Sequence, residues 1–96
     1  MKDFEYQDEL SFLLRAEDLI TFNRLIDGGD FAFQDGQMTQ AEQLYKSAIR
    51  FSEVAWGPYH WTEANALLAL HCLLTAQGQT SEAEVAYALC RKILTK

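Results

Sequence analysis

An internal repeat with a period of 42 residues constrains this chain more than any other feature. Asp35-Gly36-Gln37-Met38-Thr39-Gln40-Ala41-Glu42 returns as Gln77-Gly78-Gln79-Thr80-Ser81-Glu82-Ala83-Glu84. The same offset lays Asn23 on Asn65, Leu25 on Leu67, Tyr45 on Tyr87 and Ala48 on Cys90. In a chain of 96 residues, one domain long, this means a single supersecondary unit used twice.

Each copy predicts a helix, a tight turn and a second helix. Gly36 and Gly78 stand just past the first helices, where a left-handed residue closes off the last carbonyls. Thr39 and Ser81, each followed three residues later by glutamate, read as capping boxes that open the second helices. Ala41, Leu44, Tyr45, Ala48, Ile49, Ser52 and Ala55 then fall on one stripe, as do Ala83, Ala86, Tyr87, Cys90, Ile93 and Leu94. Spacings of three and four belong to a helix and not to a strand. The first helix of copy two, about residues 61–77, carries Ala64, Leu67, Leu68, Leu70, Leu73 and Leu74 and is apolar nearly all round, as a helix with several neighbours is.

The first helix of copy one, about residues 18–34, contains Gly28-Gly29, which costs on the order of 2 kcal/mol relative to two alanines. Leu25, Ala32 and Phe33 continue the apolar stripe across the pair. Either the helix breaks at the pair or a neighbour approaches too closely for a side chain, and the continuing stripe favours the second. Ahead of this helix, Leu10, Leu13 and Leu14 at helical spacing predict a helix within residues 1–17. It reads as a separate helix covering the open end, with fusion into the next helix as the alternative. The expected fold is all-α with about five helices in one domain, 1–96: an N-terminal helix (1–17), a first hairpin unit (18–60) and a second (61–96).

Residues 18–96 resemble two tetratricopeptide repeats. That family places a small residue in the first helix, a glycine at the turn, and alanine, an aromatic and a second alanine along the second helix. Gly29, Gly36, Ala41, Tyr45 and Ala48 fill those places in copy one; His71, Gly78, Ala83, Tyr87 and Cys90 fill them in copy two, with His71 and Cys90 departing from the pattern. The long period is similar to that of kinesin light chains, and residues 53–61 look like the insert of that variant with proline and histidine exchanged in order. The resemblance implies a right-handed stack of antiparallel hairpins, an α-solenoid fragment, whose first helices line a concave face that takes a peptide or protein. It turns Asn23, Ile26, Asp30 and Phe33, then Asn65, Leu68, Cys72 and Thr75, toward that face. Members that grip a peptide's terminal carboxylate do so with lysine, arginine and asparagine. Here Ile26, Asp30 and Leu68 stand in that region with no Lys or Arg, so that activity does not carry over.

Charge narrows the partner. The net charge is −6, and residues 1–30 alone hold eight acids and three bases, whereas residues 61–96 hold three of each. Acid gathered at one end disfavours nucleic acid and anionic membrane, both polyanions. It suits a basic protein or peptide if that face binds at all, the alternative being a solvated face that keeps a small protein soluble. No apolar stretch long enough for a signal peptide or membrane span follows Met1, and two cysteines without metal-type spacing fit a reducing compartment, so a cytoplasmic location is expected.

Aromatic residues crowd the connection between the copies. Phe51, Trp56, Tyr59 and Trp61 either fill the space under it or leave Trp56 or Trp61 exposed as a partner anchor. His71-Cys72 does not read as a nucleophile or metal pair, because adjacent helical residues point about 100° apart. Cys90 takes an alanine place as a small hydrophobe. No catalytic residue, metal or cofactor is expected. The expected function is a protein-interaction adaptor. The alternative is a self-assembling homo-oligomer: two repeats are fewer than a continuous solenoid core needs, and the C-terminal helix carries a flank of Val85, Leu89 and Ile93 that a second subunit could cover.

Overall fold

The computed structural model describes the backbone of residues 2–95 and the side chains of residues 16–95. Four helices follow one another: α1 (Lys2–Gln34), α2 (Met38–Trp56), α3 (Trp61–Ala76) and α4 (Thr80–Leu94). They pack in sequence as antiparallel hairpins, α1 on α2 and α3 on α4, with α2 against α3 joining the two pairs.

Among the described residues, four helices stand where about five were expected. The N-terminal segment is fused into the next helix, the alternative to a separate one: α1 runs unbroken through residue 17. The reason is chemical. Arg15-Ala16-Glu17-Asp18-Leu19 contains no glycine or proline to end a helix, and an apolar stripe alone marks no boundary. The side chains of Leu10, Leu13 and Leu14 lie outside the described residues.

The repeat persists down to single hydrogen bonds. At the first turn the Gly36 N–H donates to the Phe33 carbonyl (3.1 Å) and the Gln37 N–H to that of Ala32 (2.8 Å). At the second, Gly78 donates to Thr75 (3.0 Å) and Gln79 to Leu74 (2.9 Å). Both are Schellman closures around a left-handed glycine, with φ of +79° and +77°. The Gln37 and Gln79 carbonyls then accept from Ala41 and Ala83, so the residue that ends one closure also begins the next helix. This displaces the expected capping boxes. Thr39 and Ser81 already lie inside α2 and α4, and neither helix start has a side-chain cap.

Packing explains Gly28-Gly29. A methyl group built on Gly29 would sit 2.4 Å from Cε1 and 2.7 Å from Cδ1 of Tyr45, so the ring lies directly on the α1 backbone. Tyr45 is 1% exposed, within a cluster that includes Ala32, Ala41, Leu70, Leu73, Leu74 and Ala83. A second cluster joins α3 and α4 through Ala64, Leu67, Ala86, Cys90 and Ile93. A third, of Phe22, Ala48 and Ala66, ties α1 to α2 and α3.

The second copy departs where its sequence does. His71 fills the place of Gly29, so Tyr87 cannot sink as Tyr45 does and is 43% exposed. The imidazole lies against Tyr87, ring centroids 5.0 Å apart, and its Nδ1–H donates to the Ala83 carbonyl at 2.9 Å.

Candidate interaction surfaces

The connection between the hairpins fixes how α3 begins. Gly57 (φ +83°) and Tyr59 (φ +69°) turn the chain, and the Tyr59 N–H donates to the Glu63 carboxylate at 3.1 Å. His60 then caps α3, its Nδ1 accepting from the Thr62 N–H at 3.2 Å. The Thr62 hydroxyl is 2.8 Å from that nitrogen and 2.7 Å from the hydroxyl of Ser52 on α2, and both hydroxyl residues are buried. The His60 ring stacks on Trp56 at 5.0 Å, and Phe22 and Phe51 meet Trp56 edge-on. Trp56 therefore fills the space under the connection, while Trp61 is 56% exposed.

Beyond this cap, helical spacing lays out one exposed face. On α3 the exposed stripe is Trp61, Asn65, Leu68, Cys72 and Thr75, opposite the side packed on α2 and α4. On α1 the corresponding stripe is Asn23, Asp27, Asp30 and Gln34, opposite the side packed on α2. Of the residues expected on this face, Asn23, Asp30, Asn65, Leu68, Cys72 and Thr75 are exposed. Ile26 and Phe33 are half-buried and pack on the core clusters instead.

Asp30 has a structural attachment as well as exposure. The Tyr45 hydroxyl donates to its carboxylate, 2.5 Å away. Burial pushes the Tyr45 phenol well above its usual range; the bond to Asp30 and the negative charge there push the same way, and nearby Cys72 adds to it. Losing the proton would discard the bond and set two anions side by side. Burial likewise raises the Cys90 thiol. Cys72 is exposed, and it does not meet Cys90 in a disulfide.

Phe31 was not singled out by the sequence, yet it is 72% exposed. It separates two shallow depressions. One, of about 310 Å³, is lined by Asp27, Asp30, Phe31 and Gln34; the other, of about 450 Å³, is lined by Gly28, Phe31, Ala32, Gln34, Asp35, Gln37 and Gln40. The signal for it was available: Asp27, Phe31 and Gln34 fall at helical spacing on the side of α1 away from Phe22, Gly29 and Ala32.

A different depression, of about 250 Å³, opens on the other side. Leu67, Leu70 and Leu74 of α3 form its floor, Lys46 of α2 one wall, and Glu82, Val85, Ala86 and Leu89 of α4 the other. Val85 and Leu89 are exposed as expected of the α4 flank, but Ile93 is not. It is buried with Ala64 and Cys90, because its stripe faces α3.

Among the described residues there is no group of three His, Cys, Asp or Glu side chains placed to hold a metal ion. Among them, too, no helix is long and apolar enough to cross a membrane. No family model, curated protein or solved structure matches the chain.

Proposed function

We propose that this protein is a protein-interaction module built from two tetratricopeptide-like hairpins, which holds a basic, partly apolar peptide segment of another protein along the exposed face of α1 and α3. The observation that carries this is the composition of that face. Trp61 and Leu68 offer exposed apolar surface on α3, Asp27 and Asp30 offer carboxylates on α1, and the two stripes contain no Lys or Arg. An apolar side chain would gain from burial against Trp61 and Leu68, and a lysine or arginine beside it from the carboxylates. Asn65 and Asn23 supply amide groups that can both donate to and accept from a peptide backbone. Tyr45 holds Asp30 from behind, so that carboxylate is presented at little entropic cost.

The test is titration of the labelled protein with two synthetic peptides of alternating leucine and charge, one with arginine and one with glutamate, followed by amide chemical shifts. The arginine peptide should move Asp27, Asp30, Asn65 and Leu68, the glutamate peptide should not, and Leu68→Glu or Asp27→Lys should weaken the response at least severalfold. No movement at these positions with the arginine peptide, or equal movement with both, would refute the reading.

A further inference from the structure

We infer that the groove over α3, walled by α2 and α4, is where a second copy of this chain docks to form a two-fold dimer. The surface is separate from the α1–α3 face and does not depend on what that face binds. Its floor of Leu67, Leu70 and Leu74 and its wall of Val85, Ala86 and Leu89 make it the most apolar of the three depressions. At about 250 Å³ it lies below the range of pockets that enclose a small-molecule ligand and suits protein side chains.

Three observations select a second copy as the occupant. First, Val85 and Leu89 are both the exposed ridge of α4 and a wall of the groove, so one copy supplies the knob and the hole together. An interface between identical surfaces requires that property. Second, the two charges at the rim are of opposite sign and stand on opposite walls, Lys46 on α2 and Glu82 on α4. A two-fold axis running along the groove exchanges its two walls and so turns the Glu82 side of each copy toward the Lys46 side of the other. Lys46 already bonds Glu42 at 2.7 Å on its own helix, a partly exposed i,i+4 pair that Glu82 of the second copy would have to share or replace. Third, residues 61–96 carry three acids and three bases, whereas residues 1–30 carry eight and three. Two copies meeting through α3 and α4 bring together their electroneutral portions and keep the acidic ends apart. The patch extends over two turns of α4, so the dimer belongs to the small, reversible class of interfaces.

Light scattering after size exclusion tests this without any added ligand. The mass should rise from that of the 11.0 kDa chain toward twice that value over a hundredfold increase in concentration. Leu89→Lys, at an exposed position, should keep the helical circular dichroism and raise the dissociation constant about tenfold or more. Lys46→Glu alone should weaken the dimer, and Lys46→Glu with Glu82→Lys should restore it, which a merely structural role for either residue does not predict. A constant monomer mass up to millimolar concentration would overturn the inference and leave the groove to a foreign partner. A dimer indifferent to Leu89→Lys and to the charge exchange would place the contact elsewhere and overturn it equally.

Discussion

Replacing Gly29 with alanine puts a methyl carbon where the structure has the ring of Tyr45. The new Cβ would lie 2.4, 2.7 and 3.0 Å from three ring carbons, against the roughly 3.5 Å at which carbon atoms rest in contact. The ring must therefore retreat by about 1 Å, and it has nowhere easy to go: Tyr45 is fully buried and its hydroxyl is tied to Asp30. Overpacking a core costs about 1–3 kcal/mol, and a lost hydrogen bond to a charged group costs about 1.5–3 kcal/mol. Both describe one displacement, so they are not simply added. The better helix propensity of alanine returns about 1 kcal/mol, leaving a net loss of about 2 kcal/mol. For a domain of this size that lowers Tm by about 8–16 °C. Gly28→Ala is the internal control. Its Cβ would meet only the flexible tip of Leu44, at 3.4 and 3.9 Å, so the propensity gain prevails and Tm should rise by about 4–8 °C. Thermal and urea unfolding by circular dichroism at one fixed protein concentration would measure both. Adjacent glycines giving shifts of the same sign would refute the reasoning, because the argument rests on the neighbour of each and not on helix propensity.

Tyr45 also makes stability depend on alkali. Its folded-state proton is held above the ordinary tyrosine value of about 10, so beyond that pH the unfolded chain binds fewer protons and stability falls with a slope of up to about 1.4 kcal/mol per pH unit. Urea unfolding at pH 9 to 11 should show this fall, and Tyr45→Phe should remove its own share of it, leaving the part due to the buried Cys90 thiol. His60→Ala deletes the cap of α3 and the stack on Trp56 and should cost about 1–2 kcal/mol in thermal unfolding, whereas His60→Asn, which keeps a cap acceptor, should recover part of the loss. In the native protein an aromatic disulfide reagent should modify Cys72 rapidly and Cys90 only at the rate of unfolding, since Cys90 is 2% exposed and its thiol is held protonated by burial; two equally fast thiols would contradict the packing of α4.

Much of this architecture was legible because glycine, alanine and tyrosine recur at one offset. The left-handed turns at Gly36 and Gly78 and the close approach at Gly29 follow from what a missing Cβ permits, so sequence alone could anticipate them. The helix starts were less legible. Thr39 and Ser81 have capping chemistry, but the Schellman closure brings Gln37 and Gln79 to the helix start first, a matter of backbone geometry that side-chain types do not record. The fate of Tyr87 depended on His71 across the hairpin, and that of Ile93 on which stripe of α4 faces α3. At the candidate face, Asn23, Asp30, Asn65 and Leu68 emerged where expected. Ile26 and Phe33 turned partly inward, and the exposed Phe31 belongs to a stripe that apolar periodicity, tuned to buried faces, passes over.

The two Schellman turns leave the chain no slack, and this bears on which length changes the protein can accept. Since Gln37 and Gln79 each end one helix and start the next, a single residue inserted at either turn would rotate the following helix by about 100°. At the first turn that swings Ala41 and Tyr45 out of the seam with α1; at the second it withdraws Ala83, Ala86 and Cys90 from α3. The segment from Gly57 to His60 is held differently, by the ring stack and cap of His60 and by the Tyr59 N–H on Glu63, so residues added ahead of Tyr59 can loop outward while the cap stays in place. Insertions, tags and grafted segments should therefore be tolerated between the hairpins and rejected within them.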